Sequence, residues 1–326
     1  MIEASIVICA YTLDRWDDIN AAVGSVRNQT TPPREILLVI DGNEALRARA
    51  AAEIAGVTVA ANAGTPGLSG ARMTGAALAS APVIAFLDDD AIADPDWLAE
   101  LLAPYQDENV LGVGGYIEPL WVAPPPGWFP AEFNWVVGCT YKGMPVRQGR
   151  VRNAIGANMS VRADVLRRAG GFATKLGRRE GRLLAKGIAE SCEETEFCIR
   201  TTRLHPGGYW IYSPTARVRH KVPAARTSWA YFVRRCRMEG TAKAVLTGLA
   251  GSGDGLESER RYTMGLVRAV FRELAAALAG DPSAAGRAGA IGSGLAITAI
   301  AYLRTRIGRA LMRAERPLPA PEGAGR

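Results

Sequence analysis

Cysteine and histidine are scarce in this chain of 326 residues, which contains five of the first and two of the second. The cysteines are odd in number and none stands in a C-x-x-C pair, which excludes a disulfide-stapled miniprotein and a zinc framework. Unpaired thiols are typical of a reducing compartment. Because 48% of the residues are hydrophobic and 22% are charged, we expect a globular core rather than a disordered chain.

Segments that direct a chain to or across a membrane are also missing from the pattern. The N-terminus places an acidic residue, Glu3, before a short apolar run and lacks a basic region, so no signal peptide is predicted. The longest weakly polar stretch, residues 288–303, is shorter than the ~20 apolar residues of a spanning helix. We therefore expect a cytoplasmic protein whose membrane contact is at most peripheral, on the inner face of the cell membrane.

Lysine is absent from the first 140 residues, and the charge is divided unevenly along the chain. Residues 1–140 hold 6 basic and 18 acidic residues, a net charge of −12, and the remainder holds 33 basic and 14 acidic residues, a net charge of +19. The overall charge of +7 alone would suggest a nucleic-acid or anionic-membrane partner. The division favours a cation bound by the acidic half and an anionic membrane or lipid phosphate near the basic half, with no nucleic acid.

Apolar runs alternate with segments of helical spacing in the first half of the chain. Strands are predicted at residues 5–11, 35–40, 57–60 and 83–87, with helices at 17–28, 44–55 and 71–80. This alternation predicts an α/β fold with a doubly wound, mostly parallel, Rossmann-like sheet whose ligands bind at the carboxyl ends of the strands. Amphipathic spacing in the last part predicts a C-terminal helical appendage over residues 242–316, followed by a disordered tail over 317–326.

The two common glycine signatures for nucleotide binding are absent. The glycine-rich segment before Arg72 is neither G-x-G-x-x-G after the first strand nor a loop ending in G-K-[ST], which disfavours a Rossmann oxidoreductase and a P-loop enzyme. It is either an anion contact at a helix start or an ordinary helix-entry turn.

Three adjacent carboxylates, Asp88, Asp89 and Asp90, follow the strand at residues 83–87. Their mutual repulsion destabilises the chain unless a cation neutralises it, so the triplet is either a divalent metal site or a solvated helix cap. His220 could add an imidazole to such a site, although a lone histidine is more often structural.

A second acidic cluster occupies residues 190–196. One or two of its carboxylates would complement a helix dipole, and a further one could act as a general base on a hydroxyl. Downstream, Arg235 belongs to a basic helix face that is either solvated or in contact with a diphosphate or anionic headgroup.

In this order the motifs resemble the inverting nucleotide-sugar glycosyltransferases of family 2, which have the GT-A fold. The resemblance covers about residues 4–245 and rests on motifs spread along that length. They are the opening strand S-I-V-I-C-A-Y-T, Asp41, G-L-S-G-A-R ending at Arg72, F-L-D-D-D-x3-D-P-D-W-L, I-G-A-N-M-S at 155–160, C-E-E-T-E-F ending at Phe197, and His220.

The resemblance implies a role for each matching position. Mn²⁺ or Mg²⁺ is expected on Asp88, Asp90 and His220. A UDP- or GDP-linked sugar is expected near Ala10, Tyr11, Thr12, Asp14, Asp41, Gly70, Arg72, Asp88 and Asp89. The acceptor side is expected at Gly156, Ala157, Asn158, Trp121 and Arg235, with Trp128 and Trp135 as further sugar platforms or core residues. The base is expected to be Glu194, with Glu193 as the alternative, because the family's usual aspartate is replaced by glutamate here.

The resemblance also implies a domain division and an acceptor. A GT-A domain is expected over residues 1–241, with a nucleotide and metal half (1–118) and an acceptor half (119–241). The processive-synthase signature Q-x-x-R-W is absent, which favours transfer of one sugar. The motifs look most like enzymes that act on polyprenyl-linked sugars, including glucuronosyltransferases. A catalytically silent nucleotide-sugar-binding protein and a nucleotidyltransferase are the alternatives.

Overall fold

The structure is a computed structural model that describes residues 2–172, 193–250 and 256–314. The tail expected over 317–326 lies outside the described residues, as do residues 190–192 of the second acidic cluster and the last two residues of the expected appendage. The strands are β1 Ala4–Ala10, β2 Glu35–Ile40, β3 Thr58–Ala61, β4 Val83–Asp88, β5 Ala91–Ala93, β6 Val110–Trp121, β7 Gly149–Val151, β8 Asn158–Arg162 and β9 Tyr209–Val222. The helices are α1 Trp16–Arg27, α2 Glu44–Glu53, α3 Leu68–Leu78, α4 Trp97–Leu102, α5 Ala163–Arg168, α6 Glu193–Leu204, α7 Trp229–Ala250, α8 Leu256–Leu278 and α9 Ala284–Ala314.

The first four strands form a parallel sheet in the order β3-β2-β1-β4. Their β-branched and aliphatic side chains are buried on both faces, as in Ile6 and Val7, because helices cover the sheet from both sides. The predicted strands are thus confirmed, and so is the α/β class. The register aligns Cys9 with Asp88 and Ala10 with Ile40, so the polar residues after β1, β2 and β4 emerge at one edge.

Beyond β4 the sheet contains both parallel and antiparallel strand pairs. The prediction of a mostly parallel sheet therefore holds without exception only for the first four strands. β8 runs antiparallel to both β4 and β6, and β9 runs parallel to β6 but antiparallel to β5 and β7. An apolar run indicates that a strand is buried but carries no information about the direction of its neighbour, so the sequence could not distinguish the two. The β5–β9 pairing aligns Ala91 with His220 and thereby brings the histidine next to the acidic triplet.

The last three helices pack on the sheet domain through an aromatic cluster. Phe232 of α7 lies 5.6 Å from Trp128 and 5.2 Å from Phe133, measured between ring centroids. Trp135 donates a hydrogen bond from Nε1 to the Tyr262 hydroxyl of α8 at 2.9 Å. Trp128 and Trp135 therefore serve core packing, one of the two uses expected for them. Residue 242 lies inside α7, so the expected division at 241/242 crosses a helix, and that division stays a proposal.

Helix α9 is longer than its apolar sequence stretch suggested. By length and composition its Ala284–Leu311 portion could cross a membrane, with a mean hydropathy of 1.2. The helix is thus longer than the apolar stretch at residues 288–303, because weakly polar Gly, Ser and Thr residues do not end it. However, 33% of the apolar window is buried inside the protein.

Candidate functional site

Three side chains with metal-ligand chemistry meet at the carboxyl edge of the sheet. Asp88 ends β4, Asp90 lies in the following turn, and His220 approaches from β9. One ligand atom from each lies within 4.8 Å of the others, and His220 Nε2 is 3.2 Å from Asp90 Oδ1. Two carboxylates and an imidazole form a donor set that divalent cations accept. The residues expected to hold the metal are thus brought together and fit such an ion.

Hydrogen bonds around His220 fix the orientation of its ring. Burial disfavours the charged imidazole, but the hydrogen bond to Asp90 outweighs it and raises the pKa of His220 above its ordinary value. The same contact, with Arg15 nearby, lowers the pKa of Asp90 against the effect of its burial. On the other side of the ring, Cys139 Sγ lies 3.7 Å from Nδ1. The ring is therefore held with Nε2 facing the carboxylates, the orientation that a metal ligand needs.

Asp89, the middle residue of the triplet, is buried like Asp90, whereas Asp88 is partly exposed. Its side chain is 5% exposed, and Arg15 Nη1 lies 2.5 Å from Asp89 Oδ1 and 3.2 Å from Asp90 Oδ2. Burial raises the pKa of Asp89 to about 7, although Arg15 opposes the rise. Asp89 thus anchors Arg15 beside the triplet, and its expected contact with the nucleotide-sugar stays a prediction.

Arg72 connects the acidic triplet to the second acidic cluster. The α3 helix begins at Leu68, earlier than the predicted start at 71, so Arg72 lies in its second turn and is 2% exposed. Its Nη2 is 3.3 Å from Asp88 Oδ1, and its Nη1 is 2.9 Å from Glu194 Oε1 and 3.3 Å from Glu193 Oε1. Burial alone would lower the pKa of Arg72, but the three carboxylates raise it, so the guanidinium stays charged.

The two candidate bases differ in exposure. Glu193 is 2% exposed and accepts a hydrogen bond from the Ser69 hydroxyl, whereas the Glu194 side chain is 17% exposed. Both stand at the start of α6, where the helix dipole favours negative charge. The more accessible carboxylate of Glu194 is better placed to meet a substrate hydroxyl.

Two glycines permit close approach of backbone to the site. A Cβ at Gly156 would lie 2.1 Å from Glu194 Oε1 and 2.7 Å from Arg72 Nη2. A Cβ at Gly70 would lie 1.8 Å from the Thr65 carbonyl oxygen. Gly156 therefore borders the acid cluster, and Gly70 lets α3 lie close to the loop before it; their expected contacts with the acceptor and the nucleotide-sugar stay predictions.

The segments after β1 and β2 form the neighbouring part of the edge. Thr12 caps a short 3-10 helix by accepting from the Asp14 backbone N–H, and Tyr11 is 57% exposed. Both Asp41 carboxylate oxygens hold the glycine-rich loop, since Oδ1 accepts from Asn62 at 2.6 Å and Oδ2 from the Gly67 backbone at 2.8 Å. Ala10 is buried and accepts from the Asp41 backbone N–H. A nucleotide contact from Asp41 thus has to use its remaining lone pairs.

The residues expected on the acceptor side differ in their burial and hydrogen bonds. Asn158 is fully buried, accepts from Trp97 Nε1 and donates to the Tyr116 and Ala216 carbonyls, and its expected acceptor contact stays a prediction. Ala157 is likewise buried. Sequence alone does not distinguish a buried residue at the start of a strand from a residue in a loop that lines the site.

Trp121 and Arg235 lie on the rim between the sheet and the last helices. Trp121 ends β6 and packs edge-on against Phe129 at 5.5 Å, leaving it half-buried. Arg235 is half-buried on α7, and its Nε has no hydrogen-bond partner among the described residues. Whether either meets an acceptor stays a prediction.

Sequence reasoning missed Arg15, Ser69 and Cys139 as parts of the site. Arg15 was detectable in principle, because three adjacent acids need a nearby cation and it is one of 6 basic residues in the first 140. Ser69 stands within the glycine-rich motif, but no sequence signal links it to Glu193. Cys139 contacts the site only through the fold of the segment after β6.

Comparison with known proteins decides the family. The family model described as Glycosyl transferase family 2 matches residues 5–170. The chain is also 35% identical over 249 residues to the glucosyl-dolichyl phosphate glucuronosyltransferase of Haloferax volcanii, covering 75% of this chain and 77% of that protein. The chain belongs to glycosyl transferase family 2. This glycosyltransferase is further similar to the succinoglycan biosynthesis protein ExoM of Rhizobium meliloti, 30% identical over 63% of this chain and 60% of the relative.

Solved structures share the fold of this glycosyltransferase. The mannosyltransferase PcManGT from Pyrobaculum calidifontis, in complex with GDP-Man and Mn²⁺, matches with a TM-score of 0.55 at 20% identity, over 95% of this chain and 88% of that one. GalNAc-T7 with UDP, GalNAc and Mn²⁺ matches with a TM-score of 0.52 at 19% identity, over 76% of this chain and 50% of that one. The expected GT-A fold is confirmed.

Proposed function

We propose that this glycosyltransferase depends on a divalent cation, Mn²⁺ or Mg²⁺, and transfers one sugar with inversion from a UDP- or GDP-linked donor to a hydroxyl acceptor. The observation that carries the proposal is the bridge through Arg72. It joins Asp88 of the metal-ligand set to Glu194, 122 positions along the chain from Arg72, in one partly buried cluster. The proposed sites for the leaving group and for the base thus share one guanidinium, which keeps the groups needed for a single displacement close together.

The side chains would divide the work as follows. Asp88, Asp90 and His220 would hold the cation, which when bound neutralises the negative charge of the departing diphosphate. Glu194 accepts the proton of the acceptor hydroxyl while that oxygen bonds to the anomeric carbon. The bond between the anomeric carbon and the diphosphate oxygen breaks, and its electron pair leaves with the nucleoside diphosphate. Arg72 holds the Glu194 carboxylate during the transfer.

The acceptor is proposed to be a polyprenyl-linked sugar or a related cell-envelope glycan, and the donor sugar to be a hexose or glucuronic acid. The support is the likeness to the Haloferax volcanii enzyme, whose name states a glucosyl-dolichyl phosphate acceptor and glucuronosyl transfer. Both solved relatives hold a nucleotide or nucleotide-sugar with Mn²⁺. We place the reaction on the cytoplasmic side of the membrane, where nucleotide-sugars are made.

A screen of nucleotide-sugars with and without Mn²⁺ or Mg²⁺ tests the reaction class. Metal-dependent release of nucleoside diphosphate, with the sugar recovered on glucosyl-dolichyl phosphate in the β configuration from an α-linked donor, is expected. Release of pyrophosphate from a sugar phosphate and a nucleoside triphosphate would instead identify a nucleotidyltransferase. Nucleotide-sugar binding without turnover on any acceptor would identify a silent binding protein.

Glu194→Gln tests the base. We expect transfer to fall about 10²–10⁴-fold, the usual contribution of a general base, with donor affinity retained. The matched control is Glu196→Gln on the same helix, whose carboxylate pairs with Arg200 at 2.7 Å rather than with Arg72. If Glu194→Gln transfers at the control's rate and Glu193→Gln does not, the base is Glu193.

A further inference from the structure

The two C-terminal helices each present an apolar stripe to solvent. On α8 the stripe consists of Met264, Val267, Phe271, Leu274 and Leu278, and on α9 it consists of Ile300, Leu303, Ile307 and Leu311. Steps of three and four residues place each set along one face of its helix. We call them the α8 stripe and the α9 stripe.

These stripes are distinct from the faces that pack on the protein. Leu266 and Ala269 bury the opposite side of α8, and Ala301 does so for α9. Phe271 is 69% and Leu278 92% exposed. A single exposed leucine is ordinary, but large apolar side chains on successive turns of two helices mark a binding surface.

The charge around the stripes restricts the partner. Residues 284–314, which form α9, contain five arginines and no aspartate or glutamate. Arg304 and Arg306 are exposed next to the α9 stripe, and Arg268 is exposed next to the α8 stripe. Apolar side chains bordered by cations form the pattern of a helix that lies in a lipid interface.

We infer that the α8 and α9 stripes dock this protein in the plane of a membrane that carries anionic phospholipids. Two copies joined through these stripes would bring arginines of like charge together, whereas lipid phosphates supply the complementary charge. The inference goes beyond the proposed sugar transfer and does not depend on it.

Helix α9 lies in the interface and does not cross the bilayer. One third of its apolar window is already buried against the protein. A Cβ at Gly240 of α7 would lie 2.2 Å from the Thr298 carbonyl oxygen, so the two helix backbones are in close contact. Crossing a membrane would require α9 to leave this packing, while in-plane docking uses only the side that is already exposed.

Co-sedimentation of the full chain with vesicles tests the inference without any donor or acceptor. We expect binding to vesicles that contain phosphatidylglycerol, weaker binding to pure phosphatidylcholine, and loss of binding as salt increases. The double variant Phe271→Asp/Ile307→Asp should weaken binding at least about tenfold, which corresponds to ~1.4 kcal/mol. Arg304→Glu/Arg306→Glu should weaken binding to the anionic vesicles alone.

The control is Leu78→Asp, which changes an exposed leucine, 48% exposed, on α3 of the sheet domain. It should bind vesicles like the original chain. Circular dichroism and the melting temperature of each variant establish that it is folded. The inference is overturned if the stripe variants bind as well as the control, or if sedimentation equilibrium in the absence of lipid shows a dimer that those variants abolish.

Discussion

A single buried guanidinium, that of Arg72, joins the end of β4 to the first turn of α6. The acids it contacts were identifiable from sequence, because clustered carboxylates at a strand end or helix start are locally visible. The contact of Arg72 with these acids could not be predicted from sequence, because nothing near Arg72 indicates that Glu193 lies opposite it, 121 positions away. Resemblance to a family supplied the roles, but the direction of the Asp89 and Asn158 side chains depended on packing that no motif records.

The variant Gly156→Ala tests whether the positions of the Glu194 and Arg72 side chains affect sugar transfer without affecting the stability of the fold. The added Cβ would lie 2.1 Å from Glu194 Oε1 and 2.7 Å from Arg72 Nη2, both ends of flexible side chains that can move aside. We expect a folded protein with nearly unchanged melting temperature and a sugar-transfer rate lowered about 10²-fold, the cost of misplacing a reacting group by about 1 Å. Steady-state kinetics measure this. Gly24→Ala, where no atom lies within 4 Å of the Cβ, should leave the rate unchanged.

At the scale of secondary-structure elements, the parallel strands were predictable because each is a short apolar run bounded by turns. The long pair β6 and β9 is harder to predict, since both strands continue through polar and proline residues such as Pro119 and Pro214. In those stretches one face of the strand is exposed to solvent. The strand is extended there by pairing with its neighbours in the fold and not by its local composition. A C-terminal helical appendage was expected, but the packing of α7 against α9 was not.

Glycine at position 294 sets the approach of α9 to the aromatic cluster. A Cβ there would lie 2.5 Å from Phe133 Cε1 and 2.9 Å from Phe232 Cζ. Because those rings are packed and cannot retreat, Gly294→Ala should destabilise the fold by about 1–3 kcal/mol. Gly292→Ala, two residues earlier on the same helix with open space around the Cβ, should raise stability by up to about 1 kcal/mol. Denaturant unfolding of both variants compares them; a similar loss in each would show that helix propensity, and not the contact, decides.

An ion-pair network fastens the end of α8 to its surroundings and makes that attachment depend on pH. Burial opposes ionisation of Glu273, but hydrogen bonds from Arg272 and Arg287 lower its pKa below the ordinary value. A carboxyl with a lowered pKa stabilises the fold above its unfolded pKa of ~4.3, and that stabilisation disappears as pH falls through the folded pKa.

Hydrogen exchange of α8 should therefore quicken relative to β1 when the pH falls from 5 toward 3, after correction for the intrinsic rate. Glu273→Gln should show the quicker exchange already at neutral pH and depend less on acid. Glu53→Gln, which breaks an exposed pair with Arg49, is the control and should leave α8 unaffected. Acid-independent exchange in the original chain would contradict the prediction.

Across the whole molecule, the acidic part of the chain supplies most of the candidate cation ligands and the basic part supplies the exposed arginines. The residues that fit a cation are mainly acids of the first 140 residues, and the exposed arginines beside the two apolar stripes lie in the C-terminal helices. The +7 of the whole chain is therefore a poor guide to its partners.

Cation binding should stabilise the folded chain as a whole. A ligand that binds only the native state adds about 2.7 kcal/mol at a concentration 100 times its dissociation constant. We expect Mn²⁺ to raise the melting temperature of the original protein in a differential scanning calorimeter. Asp90→Ala, measured against its own melting temperature without metal, should show little rise. An equal rise in both proteins would place the cation elsewhere.

The Arg72 bridge also bears on how the chain can be made and divided. A fragment that ends at residue 118 would keep the Arg72–Asp88 pair but lack Glu193 and Glu194, and its β4 edge would have no β8 to pair with. We therefore expect that residues 1–118, which leave the ribosome first, do not reach their final state on their own. They would wait for α6 and β8, so we expect the two parts to fold as one cooperative unit and not to be exchangeable between relatives as independent modules.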